Sequence, residues 1–243
     1  MNRLQQLRRR GSNRDAGVTL AETLVGMIVA SLVMGAAATM FVAALQSNKL
    51  SIARLDTINE GRISVEAMGR TLRTAVLPKQ LDDASSADAA FLQGESKAVS
   101  FYANINNLGN ATGPSRVSYA VNASNQLVQT IQPPLPLPIN HDFKYCDPLL
   151  ASCYKKVTVL GTGIDTSAAI FVYYDQSGAP ITFASICTDG QACLSGADLG
   201  NVDAVDLKLV LKQPNTTNIG PTTYLLRVSL PNHDSIFLGA NTS

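Results

Sequence analysis

The chain has 243 residues, of which 46 % are hydrophobic and only 15 % are charged, and its formal net charge is +1. This length suits one domain of ordinary size with an appendage. A net charge so close to zero excludes a global electrostatic attraction to nucleic acid or to acidic partners. The charges are nevertheless unevenly placed, because five arginines stand against one acid, Asp15, before residue 17. These arginines are Arg3, Arg8, Arg9, Arg10 and Arg14.

A long uncharged run follows the basic segment. Residues 23–45 contain no charged side chain, and 23 helical residues span about 34 Å, enough for a hydrocarbon core of about 30 Å. The run is longer than the apolar part of a cleaved secretory signal, so it predicts a transmembrane helix. The positive-inside rule then places the N-terminus in the cytoplasm and everything after the run outside.

An acidic residue, Glu22, stands at the start of this run. A carboxylate costs less at the membrane interface than at the bilayer centre, and the helix dipole favours an acid in the first helical turn. An ordinary helix-start acid is therefore one interpretation of Glu22.

The residues around Glu22 also resemble a known processing signal. The string from Arg14 to Glu22, RDAGVTLAE, resembles the class III signal sequence of type IV pilins and type II secretion pseudopilins. That signal has a short basic leader, a glycine, an apolar first mature residue, then Thr, Leu, an aliphatic residue and Glu. The chain departs from the family at Val18, where Phe is most common, and at Ala21, where Ile is common, but both residues are apolar.

The resemblance implies how the chain is processed and assembled. A prepilin peptidase would cut between Gly17 and Val18 and methylate the new amine of Val18. The amine of one subunit would then pair with Glu22 of a neighbour in a filament built from the N-terminal helix. The implied partners are the prepilin peptidase and methylase, other pilin or pseudopilin subunits, an inner-membrane assembly platform and the membrane.

Small residues are frequent within the apolar run, and they allow helices to approach each other closely in lipid. An ordinary anchor with an average content of small residues is the alternative interpretation. The small residues are Gly26, Ala30, Ser31, Gly35, Ala36, Ala37, Ala38, Ala43 and Ala44.

The pattern then becomes amphipathic over residues 49–76, which predicts that the helix continues. We expect one helix over about residues 18–77, ended by Pro78 because the residue before a proline resists helical geometry. Its close, Leu72-Arg73-Thr74-Ala75, resembles that of minor pilins and J-type pseudopilins. The apolar positions are Ile52, Leu55, Ile58, Val65, Met68, Leu72 and Val76.

The rest of the chain reads as strands and turns. Alternating patterns predict strands at residues 98–103, 116–122, 126–131, 156–161, 168–175, 181–186, 204–212 and 224–230. Residues 116–131 and 172–182 each read as a hairpin. The predicted fold class is α+β, with a long helix packed on an antiparallel sheet. The predicted domains are a cleaved leader (1–17), a transmembrane helix (18–48), an amphipathic helix (49–78) and an extracytoplasmic head (79–243).

The four cysteines favour two local disulfides. Six residues separate Cys146 from Cys153 and five separate Cys187 from Cys193, spacings wider than the pairs that usually bind zinc. Disulfides imply an oxidising compartment, which agrees with the predicted topology. Other pairings stay open, because four cysteines allow three connectivities.

The sequence offers no signature of an enzyme. It lacks the nucleophile elbow, phosphate-loop and zinc-protease motifs, and His141 and His233 each stand beside an aspartate without forming a dyad. We therefore expect no catalytic residue, metal or cofactor. Asp198, Asn201, Asp203 and Asp206 could supply some oxygen ligands for calcium, but EF-hand spacing is missing. Nucleic acid is not indicated either, because Lys155-Lys156 is the sole basic doublet after residue 79.

The predicted function is that of a structural subunit, of the minor type, in a type IV pilus or type II secretion pseudopilus. Its predicted location is the cytoplasmic (inner) membrane with one pass, and afterwards an extracytoplasmic filament. A membrane-anchored extracytoplasmic binding protein that never polymerises is the alternative, and an anchored secreted enzyme is a third.

Overall fold

The computed structural model describes residues 17–81, 88–105, 113–136, 142–187, 189–212 and 220–230. The chain divides into two compact units between Ile52 and Ala53, and each is described by itself. Residues 1–16 of the basic leader, His141 and His233 lie outside the described residues, as do residues 82–87.

The first unit consists of the beginning of helix α1, which runs from Leu20 to Leu72. Thr19 precedes the helix, and its hydroxyl oxygen accepts a hydrogen bond of 3.3 Å from the backbone N–H of Glu22. Its carbonyl oxygen also accepts the N–H groups of Glu22 and Thr23, at 3.0 and 3.2 Å. Thr19 therefore caps the helix by supplying acceptors to donors that have no partner inside it.

In its described residues, the second unit contains the rest of α1, two short helices and ten strands. The short helices are α2 (Pro78–Leu81) and α3 (Gly196–Leu199). The strands are β1 (Phe91–Gly94), β2 (Ala98–Ala103), β3 (Ser115–Val121), β4 (Leu127–Gln132), β5 (Lys156–Gly161), β6 (Phe171–Tyr174), β7 (Ser185–Ile186), β8 (Ala192–Cys193), β9 (Ala204–Leu211) and β10 (Thr222–Ser229).

These strands form three antiparallel sheets. Strands β1 to β5 lie side by side in chain order, β9 lies between β10 and β6, and β7 pairs with β8. Strand β9 illustrates why the sequence folds this way, since Val205, Leu207 and Leu209 are fully buried while Lys208 is exposed. Alternating side chains leave a strand on opposite faces, so one face of β9 lies in the core.

The second half of α1 closes the core of this unit. Val65, Met68 and Leu72 are buried there together with aromatic residues of both larger sheets. Two glycines of the same helical face lie directly against β10. A Cβ atom at Gly61 would lie 2.2 Å from the ring of Tyr224, and one at Gly69 would lie 2.5 Å from Leu226 Cδ2.

The predicted α+β fold, a long N-terminal helix packed on an antiparallel sheet, is confirmed. The predicted helix end is wrong, because α1 stops at Leu72. Beyond it Ala75 forms an antiparallel bridge with Ala103, and the N–H of Val76 bonds to a sheet carbonyl. Pairing with β2 thus ends the helix before the proline acts, and Pro78 instead opens α2, since a proline is well suited to a first helical position.

The apolar positions of the amphipathic pattern are not all buried. Ile52 and Leu55 are exposed, and burial begins at Gly61. In place of these large side chains, the small residues Gly61, Ser64 and Gly69 lie on the buried face, because strand β10 and the end of β5 come too close to the helix for anything larger.

Most predicted strands are confirmed within one or two residues, including the hairpin of β3 and β4. The hairpin predicted over residues 172–182 is confirmed in part. The chain reverses after Tyr174, which forms an antiparallel bridge with Pro180, and the N–H of Ile181 bonds to the carbonyl oxygen of Tyr173 at 2.8 Å. The predicted long second strand is wrong, because β6 takes β9 as its strand partner. The strand predicted at 181–186 shrinks to β7, which pairs with β8. The sequence reasoning missed β1 and β8, both too short to alternate clearly.

Candidate membrane anchor and assembly site

The predicted processing site lies at the exposed start of α1. Gly17, Val18 and Glu22 are all exposed, and a Cβ atom at Gly17 would meet no heavy atom within 4 Å. Within the described residues, nothing covers the Gly17–Val18 bond. Cleavage, methylation of Val18 and the ion pair between Val18 and Glu22 of a neighbouring subunit stay predictions, since all three require a second molecule.

Glu22 has a local relationship that the sequence reasoning missed. Thr19 and Glu22 have the S/T-x-x-E spacing that is typical of a helix N-terminus, and the Thr19 hydroxyl accepts the N–H of Glu22. Glu22 also lies in the first turn of α1, where the helix dipole favours a negative charge. The residue thus stabilises the helix start, whatever it pairs with in an assembly.

The surface of the first unit is apolar and uncovered. Every described residue up to Ile52 is exposed, and an 18-residue stretch of α1 has a mean hydropathy of 2.2 with none of its residues buried. By length and composition this helix is able to cross a membrane. The large exposed side chains are Val18, Leu20, Leu24, Val25, Met27, Ile28, Val29, Leu32, Val33, Met34, Met40, Phe41, Val42, Leu45, Leu50 and Ile52.

The few hydroxyl groups in the apolar run have their hydrogen-bond partners inside the helix. Thr23, Ser31 and Thr39 each donate to the carbonyl oxygen three residues earlier, at 2.8 Å. Polar groups in hydrocarbon need an internal partner because no water is available to them. These side chains are therefore compatible with lipid or with apolar neighbours.

Among the described residues, nothing occupies the space beside the two glycines of the run. A Cβ atom at Gly26 or Gly35 would meet no heavy atom within 4 Å. Each glycine therefore leaves a depression on the helix surface that another helix can occupy at close range.

The head carries the two predicted disulfides. Cys146 is bonded to Cys153 and Cys187 to Cys193, which confirms both pairs and settles the connectivity. Gln132, at the end of β4, braces the first disulfide: its Nε2 donates to the carbonyl oxygen of Cys146 at 2.6 Å and lies 3.3 and 3.2 Å from the two sulfur atoms.

An aromatic and cationic cluster holds the residue that precedes this disulfide. The guanidinium of Arg116 lies 4.0 Å from the ring centre of Tyr145. The ring centres of Tyr102 and Tyr145 are 5.9 Å apart. The Tyr145 hydroxyl donates to the carbonyl oxygen of Pro114 at 2.6 Å. Burial of that hydroxyl raises the pKa of Tyr145, so the phenol remains neutral and keeps its donor.

The carboxylates considered for calcium serve separate structural tasks. Asp198 caps α3 together with Ser195, and Asp206 forms a two-pronged ion pair with Arg227 at 2.6 and 2.8 Å. The Arg227 pairing lowers the pKa of Asp206. Among the described residues no three His, Cys, Asp or Glu side chains are grouped to hold a metal.

One acid that sequence reasoning missed is buried in the head. Glu95 accepts a hydrogen bond from Gln93 Nε2, and its burial, aided by the nearby charge of Asp189, raises the pKa of Glu95 above its ordinary value. No sequence motif marks this residue, because its burial depends on the bridge that its backbone makes to Cys193.

Comparison with known proteins finds no family model that matches the chain and no characterised protein that matches its sequence. The assignment of function therefore depends on the residues and contacts described above.

Proposed function

We propose that this chain is a structural subunit, of the minor type, of a type IV pilus or a type II secretion pseudopilus. The observation that carries the proposal is the first unit of the molecule. An entirely exposed apolar helix, which begins directly after Gly17, Val18 and the Thr19 cap, has the form of a subunit that is first held in a membrane and then packed among other helices.

The exposed apolar surface requires a covering in each state of the protein. Soluble monomers rarely expose a large contiguous apolar surface. Before assembly the bilayer would cover the helix, and after assembly the helices of neighbouring subunits would do so. The depressions at Gly26 and Gly35, which nothing in the described chain fills, are compatible with such close helix packing.

The start of α1 supports the proposed assembly ion pair. Cleavage before Val18 would create an ammonium group close to the N-terminus of the helix, where the dipole is already positive. An unpaired charge buried among apolar helices is costly by several kcal/mol. Glu22 is exposed in the first helical turn, so it is available to neutralise the amine of an adjacent subunit.

The disulfides of the head support the proposed location. Disulfides form and persist in oxidising compartments, and both cysteine pairs lie in the part of the chain that follows the apolar run. The basic leader would remain in the cytoplasm. The head would then lie on the outer side of the cytoplasmic membrane, with the filament formed there.

The first experiment measures the mature N-terminus. The full chain is expressed with and without a prepilin peptidase, and the mass of its first peptide is determined. We expect a cut before Val18 and one added methyl group. Gly17→Val should abolish cleavage, because a side chain there keeps the peptidase away from the backbone. Gly35→Val is the matched control and should leave cleavage unchanged, since an added Cβ atom at either glycine would meet no described heavy atom within 4 Å. An intact Met1 or a cut at another bond would exclude the proposal and favour an anchored, non-polymerising binding protein.

The second experiment separates the ion pair from helix capping. Glu22→Ala should insert into the membrane normally but enter filaments poorly. Thr19→Ala removes the cap and keeps the carboxylate, so it should assemble far better than Glu22→Ala. Equal defects in the two variants would show that capping, and not the ion pair, limits assembly.

A further inference from the structure

Two leucines are presented to solvent by the loop that Cys146 and Cys153 close. Leu149 is 91 % exposed and Leu150 is 56 % exposed. Removing large apolar side chains from water usually lowers the free energy, and nothing in the described part of the chain covers these two. Tyr154, just beyond the loop, is also 63 % exposed.

The loop is held in one conformation. Besides the disulfide and the Gln132 brace, the N–H of Cys153 bonds to the carbonyl oxygen of Leu150 at 3.0 Å. The carboxylate of Asp147 accepts the N–H of Leu149 at 2.9 Å. A loop that is already ordered loses little conformational entropy when it binds, so the leucines are suited to act as anchors.

Positive charge borders this apolar tip. The Lys155 ammonium donates to the carbonyl oxygen of Pro148 at 2.8 Å, which places it beside Leu149. Lys156 follows and is exposed. Asp147 is the one acid between Cys146 and Lys156, and two cations against one anion leave the segment positive.

The loop lies at a definite end of the head. At one end of β5, Ser64 of α1 donates to the carbonyl oxygen of Leu160. Lys156 lies at the other end of β5. The pairing of strands β2 to β5 places Ala103 at this same end of the sheet, and Ala103 forms the bridge to Ala75 beyond the end of α1. The loop thus extends from the end of the second unit that is remote from Ala53, where that unit begins.

We propose that residues 147–156 form a membrane contact for a bilayer containing anionic phospholipid, distinct from the bilayer that holds α1. Leu149 and Leu150 enter the interface, Tyr154 lies at the level of the headgroups, and Lys155 and Lys156 face their phosphates. An apolar tip with an adjacent aromatic residue and cations is the composition of segments that bind at membrane interfaces.

A bilayer fits this surface better than a protein groove does. A stable protein interface buries about 800 Å² per partner and involves about 20 to 30 residues on each side, more than this loop supplies. A bilayer needs no complementary shape and adds an attraction for each lysine. The contact uses the head alone, so it does not depend on the proposed filament role.

The test uses the absence of tryptophan from the chain. The full-length Leu149→Trp variant is reconstituted into phosphatidylcholine vesicles, and a second set of vesicles that contains brominated phosphatidylglycerol is added. We expect the indole emission to shift to the blue and to be quenched. Leu225→Trp is the matched control, since Leu225 is 70 % exposed on β10, and its emission should not change.

The charge requirement is tested in the same assay. Brominated phosphatidylcholine vesicles should quench the Leu149→Trp variant much less than the anionic ones. Adding Lys155→Gln or Lys156→Gln should weaken vesicle binding by about fivefold each, and Leu150→Ser should weaken it further. Because these side chains are exposed, the near-ultraviolet circular dichroism of each variant should match that of its parent.

Three results would overturn the proposal. The first is no quenching by either kind of vesicle, which would favour a protein partner for the leucines. The second is equal quenching of the Leu225→Trp control. The third is binding that ignores both the lysine substitutions and the lipid charge.

Discussion

The two halves of α1 carry similar small residues in opposite surroundings. In the first half, a Cβ atom at Gly26 or Gly35 would have no heavy atom within 4 Å, whereas the space above Gly61 and Gly69 is filled by Tyr224 and Leu226. A small residue leaves a depression on a helix whatever lies beside it. The depression alone therefore does not identify its occupant, because at Gly61 and Gly69 the occupant is the chain's own sheet.

The occupied depression also shows how such a contact is made specific. The Tyr224 ring lies over Gly61, and its hydroxyl donates to the carbonyl oxygen of Ile58 at 2.8 Å. The aromatic ring thus fills the space while its polar end reaches the helix backbone. We expect the depressions of the first half to be filled by apolar side chains of neighbouring helices.

The largest expected difference between the halves concerns methionine. Met68→Ala should lower the free energy of unfolding of the head by about 2–5 kcal/mol, because it leaves a cavity at a fully buried position. Met34→Ala should leave the head unchanged, since Met34 is 76 % exposed. Urea unfolding of the full chain in detergent, followed by tyrosine signals of the head, measures both. Similar losses in the two variants would refute the contrast.

Replacing a glycine by alanine should have opposite effects on stability in the two halves of α1. Gly61→Ala should destabilise the head by about 1–3 kcal/mol, because the new methyl group overlaps the Tyr224 ring. Gly35→Ala meets no neighbour, so it should stabilise the isolated helix by up to about 1 kcal/mol through helix propensity. Unfolding of the head and helix melting in micelles measure the two effects. A stabilised Gly61→Ala head would mean that Tyr224 moves aside freely.

The same contrast shows what could be predicted from the sequence. Local patterns were sufficient for the helix and for most strands, and they favoured both disulfides without fixing the connectivity, because each of these features depends on residues close together in the chain. The end of α1 at Leu72 was not predictable, since it is set by pairing between Ala75 and Ala103. The contact at Gly61 was not predictable either, because Tyr224, whose ring lies over it, comes 163 residues later in the chain.

The candidate site was likewise predictable only in part from the sequence. The apolar run and the position of Glu22 at the helix start followed from the sequence, because a membrane helix is a local feature. The Thr19 cap was missed although its S/T-x-x-E spacing was visible. The exposed leucines of the disulfide loop had no sequence signal, since Leu149 and the partly buried Leu160 look alike in the sequence until the fold separates them.

Serine gives a smaller difference between the halves. Ser64 is fully buried, and its hydroxyl bonds to Leu160 O at 2.5 Å and Glu60 O at 2.7 Å. Ser64→Ala should cost the head about 1 kcal/mol, because a sheet carbonyl loses its donor. Ser31→Ala removes only a bond within the helix and should leave the head unchanged. Denaturant midpoints at constant slope measure both, and equal midpoints for wild type and Ser64→Ala would contradict the prediction.

The smallest expected difference between the two units is their response to acid. The Lys212 ammonium, 2.8 Å away, and hydrogen bonds from Ser167 lower the pKa of Asp165 from 3.8 to about 2. A carboxyl group with a lowered folded-state pKa adds stability above its unfolded pKa, and this stability is lost as the pH falls through the folded value. The thermal midpoint of the head should therefore decline between about pH 4 and pH 2.

Asp165→Asn isolates this contribution, because it keeps the oxygen that accepts the Ser167 N–H and removes the titration. The variant should begin with a lower midpoint at pH 7 and decline less steeply toward pH 2. The first unit is the internal control, since Glu22 is the sole carboxylate among its described residues, so its helical signal in micelles should hardly change. If the variant and the wild type decline in parallel, the Lys212 pairing contributes nothing, and the acid response belongs to other carboxylates such as Asp206.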